Sequence, residues 1–96
     1  MVFSPVPSRI ETVTPNATYV SGSHVILNCS VKGDPPHYVT WINVTDGSVL
    51  QNSTGTSYVI PSVSSHHKGT CRCVARNRCG QDSRETTIID ILCELQ

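Results

Sequence analysis

Apolar and polar residues alternate along short segments of this chain, which is the pattern of β-strands with one buried face. Val25, Leu27 and Cys29 share one face of residues 23–29, and residues 38–42 and 57–60 repeat the alternation. No segment shows a sustained helical period, so no amphipathic helix is predicted. Turn-forming residues separate the apolar segments at 33–36, 46–47, 52–55 and 77–80. The pattern therefore predicts an all-β antiparallel sandwich.

Two further segments have the composition of strands. Residues 70–75 place Cys71, Cys73 and Ala75 on one side, opposite Arg72, Val74 and Arg76. Residues 86–92 are strand-like but too apolar throughout for their inward face to be assigned.

Composition and charge restrict the function classes. A chain of 96 residues makes one domain, with 38% hydrophobic and 15% charged residues. Its formal net charge of zero at pH 7 disfavours nucleic acid as a partner. Basic residues are nevertheless concentrated between positions 68 and 84, at Lys68, Arg72, Arg76, Arg78 and Arg84.

Four acceptor motifs for N-linked glycosylation indicate an extracellular location. They begin at Asn16, Asn28, Asn43 and Asn52 and accompany five cysteines, a combination typical of an oxidising secretory compartment. Asn16 and Asn52 lie in turn-like sequence, and Asn28 precedes an inward residue. Asn43 shares the parity of Trp41, so we expect it to be modified less often. No apolar run of about 18 residues exists, so this segment is not expected to insert into a membrane.

The residues from 58 to 80 read Tyr58-x-Ile60-x-x-Val63-x-x-x-His67-x-Gly69-x-Cys71-x-Cys73-x-Ala75-x-Asn77-x-x-Gly80. This resembles, without insertion, the immunoglobulin superfamily signature L-x-I-x-x-V-x-x-x-D-x-G-x-Y-x-C-x-A-x-N-x-x-G. Upstream, Gly22-x-x-Val25-x-Leu27-x-Cys29-x-x-x-Gly33-x-Pro35 and Val39-x-Trp41 are similar to the family's second and third strands. The resemblance covers Gly22 to Gly80, well over half of the chain.

The resemblance implies a compact sandwich of about seven strands, of the intermediate or constant-2 type. It also implies a core disulfide between Cys29 and Cys73 with Trp41 packed against it. Two positions depart from the family pattern: His67 replaces an aspartate and Cys71 replaces a tyrosine whose hydroxyl pins the preceding turn. The hydrogen bond at that corner must therefore be made in another way.

The remaining cysteines leave alternatives open. The strand order implied by the resemblance places Cys71 and Cys93 at one end, which favours a second bridge between them. In the alternative, Cys71 is a buried free thiol and Cys93 pairs with a neighbouring module. Either way we expect Cys79, in a hairpin turn, to be the most exposed thiol and free to form an intermolecular bond. A zinc site is disfavoured because the spacing lacks paired Cys-x₂-Cys motifs, and no metal or cofactor is expected.

The outward side of the third and sixth strands of the resembled fold forms a candidate binding face. It consists of Tyr38, Thr40, Ile42, Arg72, Val74, Arg76 and Arg78. A mixed aromatic, aliphatic and arginine surface suits a protein partner, and the arginines could instead bind an anionic glycan. A solvated face that binds nothing is the third alternative.

The resemblance therefore implies a binding module of a cell-surface receptor or adhesion protein, in a membrane-anchored or secreted chain. A structural spacer in a tandem extracellular array, contacting neighbouring domains, is the alternative. The four histidines are scattered and no enzyme activity is expected. We assign residues 8–92 to the module, 1–7 to a linker or appended leader, and 93–96 to the start of a linker.

Overall fold

The computed structural model describes residues 6–34, 37–53 and 55–93 of the chain. Within them the elements are β1 (Arg9–Val13), β2 (Ala17–Val20), β3 (Val25–Lys32), β4 (Tyr38–Asn43), β5 (Val49–Ser53), β6 (Ser57–Ile60), β7 (Gly69–Asn77) and β8 (Gly80–Leu92). A 3₁₀ turn, Ser65–His67, precedes β7. The predicted all-β class is confirmed.

The strands form two sheets that pack face to face. One sheet has the order β1-β3-β6 and the other β2-β8-β7-β4-β5. All neighbouring strands are antiparallel except β2 and β8, which are parallel. The chain passes from the first sheet to the second between Val13 and Ala17, where Pro15 cannot donate a ladder hydrogen bond. If β1 and β2 are counted as one divided strand, the sandwich has the seven strands expected.

Strand β5 is an edge strand of the five-stranded sheet, and β6 is an edge strand of the three-stranded sheet. The chain crosses from one sheet to the other between them. Among the described residues no further strand lies between Ser53 and Ser57, which agrees with the compact arrangement. The turn predicted from position 52 begins later than expected, because Thr40 and Val39 of β4 pair with Asn52 and Ser53 of β5. Asn52 thus lies in a strand rather than in a turn.

The core lies between the two sheets and follows the predicted alternation. Its buried members are Ile10, Val25, Leu27, Cys29, Val39, Trp41, Ile60, Val63, Cys71, Cys73, Ala75 and Ile88. The structure also assigns the inward face of β8: Thr86 and Ile88 are each 1% exposed, whereas Ile89 is 53% exposed. Strand β8 therefore follows the same two-residue period as its neighbours, although apolar side chains occupy both of its faces.

A disulfide joins Cys29 to Cys73, with 6.6 Å between their Cα atoms. Both residues are fully buried, and Trp41 lies directly opposite Cys73 in the β4–β7 ladder. This is the core bridge that the family resemblance implied. The indole Nε1 of Trp41 has no hydrogen-bond partner in the described part of the chain, so the ring acts only by packing.

The second bridge, expected between Cys71 and Cys93, is absent from the structure, where both residues are free thiols. The β7–β8 ladder places Cys71 opposite Thr86, and Cys93 follows Thr86 by seven positions. In an extended chain this is a displacement of roughly 23 Å. A disulfide requires Cα atoms within about 7 Å, so the extended course of β8 prevents the bond.

Removing the core bridge should lower stability strongly. We expect Cys29→Ala with Cys73→Ala to lower the free energy of unfolding by about 4 kcal/mol, because a bond across 44 positions restricts the unfolded chain. Urea denaturation monitored by tryptophan fluorescence measures the change. Cys93→Ser, which removes an exposed thiol, is the matched control and should stay within about 0.5 kcal/mol of wild type. Equal stabilities for the two variants would contradict the structural role of the bridge.

Candidate binding site

The predicted binding face is continuous in the structure. The ladder between β4 and β7 pairs Tyr38 with Arg76, Thr40 with Val74, and Ile42 with Arg72. Because side chains alternate along a strand, these six point to the same side of the five-stranded sheet, away from the core. Tyr38 is 47% exposed, Arg76 is exposed, and the other four are half-buried. Arg78 lies just beyond, in the turn after β7, and is exposed.

Strand β8 adds a third row that the sequence did not reveal. Gln81, Ser83 and Glu85 lie opposite Arg76, Val74 and Arg72 in the ladder and thus face the same way. The signal for this register was the short turn between Asn77 and Gly80, which pairs those two residues. The exposed Val49 lies at the edge of the same sheet, in β5.

Ion pairs change the charge expected on this face. Arg72 donates to the Glu85 carboxylate from Nε at 3.0 Å and from Nη2 at 2.6 Å. Lys68 lies 3.6 Å from the carboxylate of Asp90. These pairs are exposed and contribute little to stability, but they reduce the positive charge available to a ligand. Within the described part of the chain Arg76 has no carboxylate partner, so a positive charge without an ion pair lies at the Tyr38 end of the face.

A groove lies at that end of the face. It has a volume of about 430 Å³ and is lined by Tyr38, Arg76, Asn77 and Arg78. Asn77 fixes its base: the carboxamide nitrogen donates to the carbonyl oxygens of Val6 and Asp34, each at 2.9 Å. Its oxygen accepts the Cys79 and Gly80 amides at 2.9 and 3.1 Å. The groove thus combines an aromatic side chain with two arginines on a hydrogen-bonded loop.

A second cavity lies at the opposite end of the sandwich, beside the position where the family has a tyrosine. Its volume is about 260 Å³, and it is lined by Asn43, Leu50, Tyr58, Ile60, His66, His67, Cys71 and Ile88. Cys71 is 6% exposed, and burial raises the pKa of its thiol. A neutral buried thiol is a poor nucleophile. Cys71 therefore acts as a small apolar residue in this wall.

His67 makes hydrogen bonds that hold the turn before β7. Its Nδ1 accepts the Ser64 backbone N–H at 2.9 Å, and its own backbone N–H donates to the Ser64 carbonyl at 2.9 Å. His66 stacks on it, with 4.1 Å between ring centroids. Burial, and then the neighbouring His66, lower the pKa of His67 below its ordinary 6.5. The neutral imidazole is therefore the form that holds the turn.

The two remaining cysteines differ from expectation in exposure. Cys93 is exposed, whereas Cys79 is half-buried, so Cys93 rather than Cys79 is the more accessible thiol. In the described ranges no three His, Cys, Asp or Glu side chains are grouped so as to hold a metal ion. Within the same ranges there is also no helix with the length and apolar character needed to cross a bilayer.

The glycosylation acceptors have different surroundings. Asn16 is exposed between β1 and β2, and its Oδ1 accepts the Thr87 amide at 2.8 Å. Asn28 is exposed at the centre of β3. Asn43 ends β4, is half-buried, and accepts the Thr45 amide at 2.9 Å. The side chain of Asn52 lies outside the described residues. Glycosylation at all four stays a prediction.

A sandwich of a three-stranded and a five-stranded sheet, joined by a disulfide beside a buried tryptophan, defines an immunoglobulin-like domain. This chain belongs to the immunoglobulin domain family, whose model matches residues 7–89.

Named relatives support the same assignment. The myelin-associated glycoprotein of Homo sapiens is 32% identical over 80 residues, covering 81% of this chain and 12% of the relative. Immunoglobulin superfamily member 10 of Homo sapiens is 35% identical over 91 residues, covering 85% of this chain and 4% of the relative. The chain therefore spans only a small part of these relatives. The solved structure of sidekick-1 immunoglobulin domains 1–5 superposes with a TM-score of 0.78 at 28% identity, covering 95% of this chain and 19% of that one.

The histidine corner should make stability depend on pH. Because the pKa of His67 is lower in the folded state, the unfolded state binds more protons as the pH falls. Stability should therefore be fully present above pH 6.5 and decline as the pH falls below that value toward the folded pKa. Urea denaturation between pH 5 and pH 8 measures this dependence.

Two variants isolate the contribution of His67. In His67→Gln the side-chain oxygen can still accept the Ser64 amide but does not titrate, so the decline should be reduced. The exposed His24 provides a matched control, and His24→Gln should retain the wild-type dependence. A wild-type decline in His67→Gln would show that another group causes it.

Proposed function

We propose that this domain is an extracellular binding module of a cell-surface receptor or adhesion protein, and that it recognises a protein partner through the outer face of its five-stranded sheet. The observation that carries the proposal is the continuous patch from Tyr38 to Ile42 and from Arg72 to Arg76, in register on adjacent strands. Tyrosine and arginine dominate binding energies at protein interfaces, and half-buried aliphatic groups between them exclude water. Binding, rather than catalysis, is the function of such a surface.

An extracellular location is supported by the chemistry of the chain. The buried Cys29–Cys73 bridge persists in oxidising compartments and is uncommon in the cytosol. Four glycosylation acceptors occur in 96 residues. The relatives span much longer chains, which supports a module within a larger protein. Its parent chain would be anchored in a membrane or secreted.

A role as a structural spacer is the competing proposal within the same family. The chain covers 12% and 4% of two relatives, so most of each relative lies outside the matched segment. A spacer would contact neighbouring domains at its ends and leave the sheet face solvated. Substitutions on the face separate the two roles, because a spacer should tolerate them.

The groove beside Tyr38 favours a second ligand class, an anionic glycan. Arginine guanidinium groups bind carboxylate and sulfate in a bidentate manner, and an aromatic ring offers a surface for the apolar side of a sugar. Arg76 and Arg78 line the groove together with Tyr38. Arg72 is engaged by Glu85 and belongs to the middle of the face instead.

Substitutions on the face should weaken binding to cells that carry the partner. We expect Tyr38→Ala with Arg76→Ala to weaken binding of a multimerised domain at least tenfold, about 1.4 kcal/mol, because two anchor side chains are lost. Flow cytometry on intact cells, before and after protease treatment, measures the effect and tests that the partner is a protein.

The control is a matched pair on the other sheet. Glu11 and Lys32 form an exposed ion pair at 3.2 Å, so Glu11→Ala with Lys32→Ala also removes two surface side chains. This variant should bind as wild type does. Unchanged binding of the Tyr38 and Arg76 variant would instead support the spacer role.

Binding of an anionic glycan would depend on different residues and on salt. We expect Arg76→Ala with Arg78→Ala to lose retention on immobilised heparin, and Arg72→Ala to retain most of it, since Glu85 already neutralises Arg72. Wild-type retention should fall steeply with added salt, because screening acts over about 8 Å at physiological ionic strength. Equal elution of all three proteins would exclude the groove as a glycan site.

A further inference from the structure

The outer face of the three-stranded sheet carries an apolar pair. Ile26 of β3 and Val59 of β6 are opposite each other in the ladder and are 53% and 42% exposed. Single exposed apolar residues are common on soluble domains. Here two β-branched side chains lie side by side, so water contacts a larger continuous apolar surface than either residue alone would present.

Asn28 lies on the same face, two residues along β3 and about 7 Å from Ile26. Ser57, which lies two residues before Val59 in β6, is opposite Asn28 in the ladder. The acceptor motif is complete, since Ser30 follows the inward Cys29 and is also exposed. Along β3, the neighbours of Asn28 on this face are Ile26 on one side and Ser30 on the other, so the apolar pair is within reach of a group attached to Asn28.

Hydrogen bonds orient the Asn28 carboxamide. Its Oδ1 accepts the hydroxyl groups of Thr56 at 3.2 Å and Ser57 at 3.1 Å. Both bonds use the oxygen, so attachment of a sugar to Nδ2 leaves them intact. The two hydroxyls hold the amide against β6, the strand that carries Val59. An attached sugar would therefore start from a fixed position beside the apolar pair.

The other described acceptors lack this setting. Asn16 holds the Thr87 amide of β8, and Asn43 is half-buried at the cavity beside Cys71. Both lie next to or within strands of the five-stranded sheet: Asn16 immediately precedes β2, and Asn43 is the last residue of β4. Of the acceptors whose side chains are described, Asn28 is the one with an exposed apolar pair on its own sheet face.

We infer that Asn28 carries an N-linked glycan whose first N-acetylglucosamine lies across Ile26 and Val59. The sugar ring presents C–H groups and an N-acetyl methyl to the two side chains and its hydroxyls to water. The glycan closes the outer face of the three-stranded sheet to partners. The five-stranded sheet then remains the face open to a protein ligand.

The modification is a group transfer from a lipid diphosphate-linked oligosaccharide. Asn28 Nδ2 forms a bond to the anomeric carbon of the first sugar, and the bond from that carbon to the diphosphate oxygen breaks. Nδ2 loses one proton, and the lipid diphosphate leaves.

The test uses the domain secreted from a glycosylating host and trimmed enzymatically to a single N-acetylglucosamine. Site-resolved mass spectrometry should find that sugar on Asn28. Ser30→Ala removes the motif but keeps Asn28. It should lower Tm by about 4 °C, because the stabilising contact between the sugar and the apolar pair is lost and a small loss of stability shifts Tm by this amount in a domain of this size. The same substitution in unglycosylated bacterial protein gives the intrinsic effect of losing the serine, which is subtracted.

The matched background is Ile26→Thr with Val59→Thr, which keeps β-branched residues but makes the face polar. In this background, Ser30→Ala should leave Tm unchanged once the effect of the same substitution in unglycosylated protein has been subtracted. Contacts in NMR spectra between sugar protons and the methyl groups of Ile26 and Val59 should be visible in the trimmed wild type. An unmodified Asn28, or an equal loss of Tm in the two backgrounds, would overturn the inference.

Discussion

The covalent link between the two sheets is the constraint on which the rest of the structure depends. Cys29 lies in β3, the middle strand of the three-stranded sheet, and Cys73 lies in β7, the middle strand of the five-stranded sheet. One bond thus joins the two strands that organise their sheets. Trp41, opposite Cys73 and 1% exposed, fills the space beside it. The side chains around this link are packed between the sheets. In both β3 and β7 this fixes which residues point inward and which point outward.

That alternation determines both outer surfaces of the domain. With Cys73 inward, Arg72 and Val74 must face outward and complete the patch with β4. With Cys29 inward, Asn28 and Ser30 must face outward together. The two surfaces are different in character: one presents tyrosine, aliphatic and arginine side chains, and the other presents an acceptor asparagine beside the apolar pair Ile26 and Val59. A single bond therefore fixes which side chains each outer surface presents.

Sequence patterns predicted the fold and the inward faces of β3, β4 and β7, because the buried positions of those strands recur at every second residue and most positions between them are polar. They did not predict the inward face of β8, where apolar residues occupy both sides, nor the ion pair between Arg72 and Glu85. Both depend on the register that the turn after Asn77 sets. The bridge expected between Cys71 and Cys93 was wrong for a similar reason. Sharing an end of the fold does not bring residues together when β8 continues in an extended conformation past Thr86.

The corner beside Cys71 departs from the family pattern. The pattern has an aspartate at the position of His67, and residues 42–67 of this chain contain no arginine or lysine that could pair with one. An aspartate here would be a partly buried charge without a partner, which is costly. The neutral imidazole of His67 accepts the Ser64 amide directly and needs no counterion. Cys71, where the resembled pattern has a tyrosine, lines the cavity beside this turn together with His67.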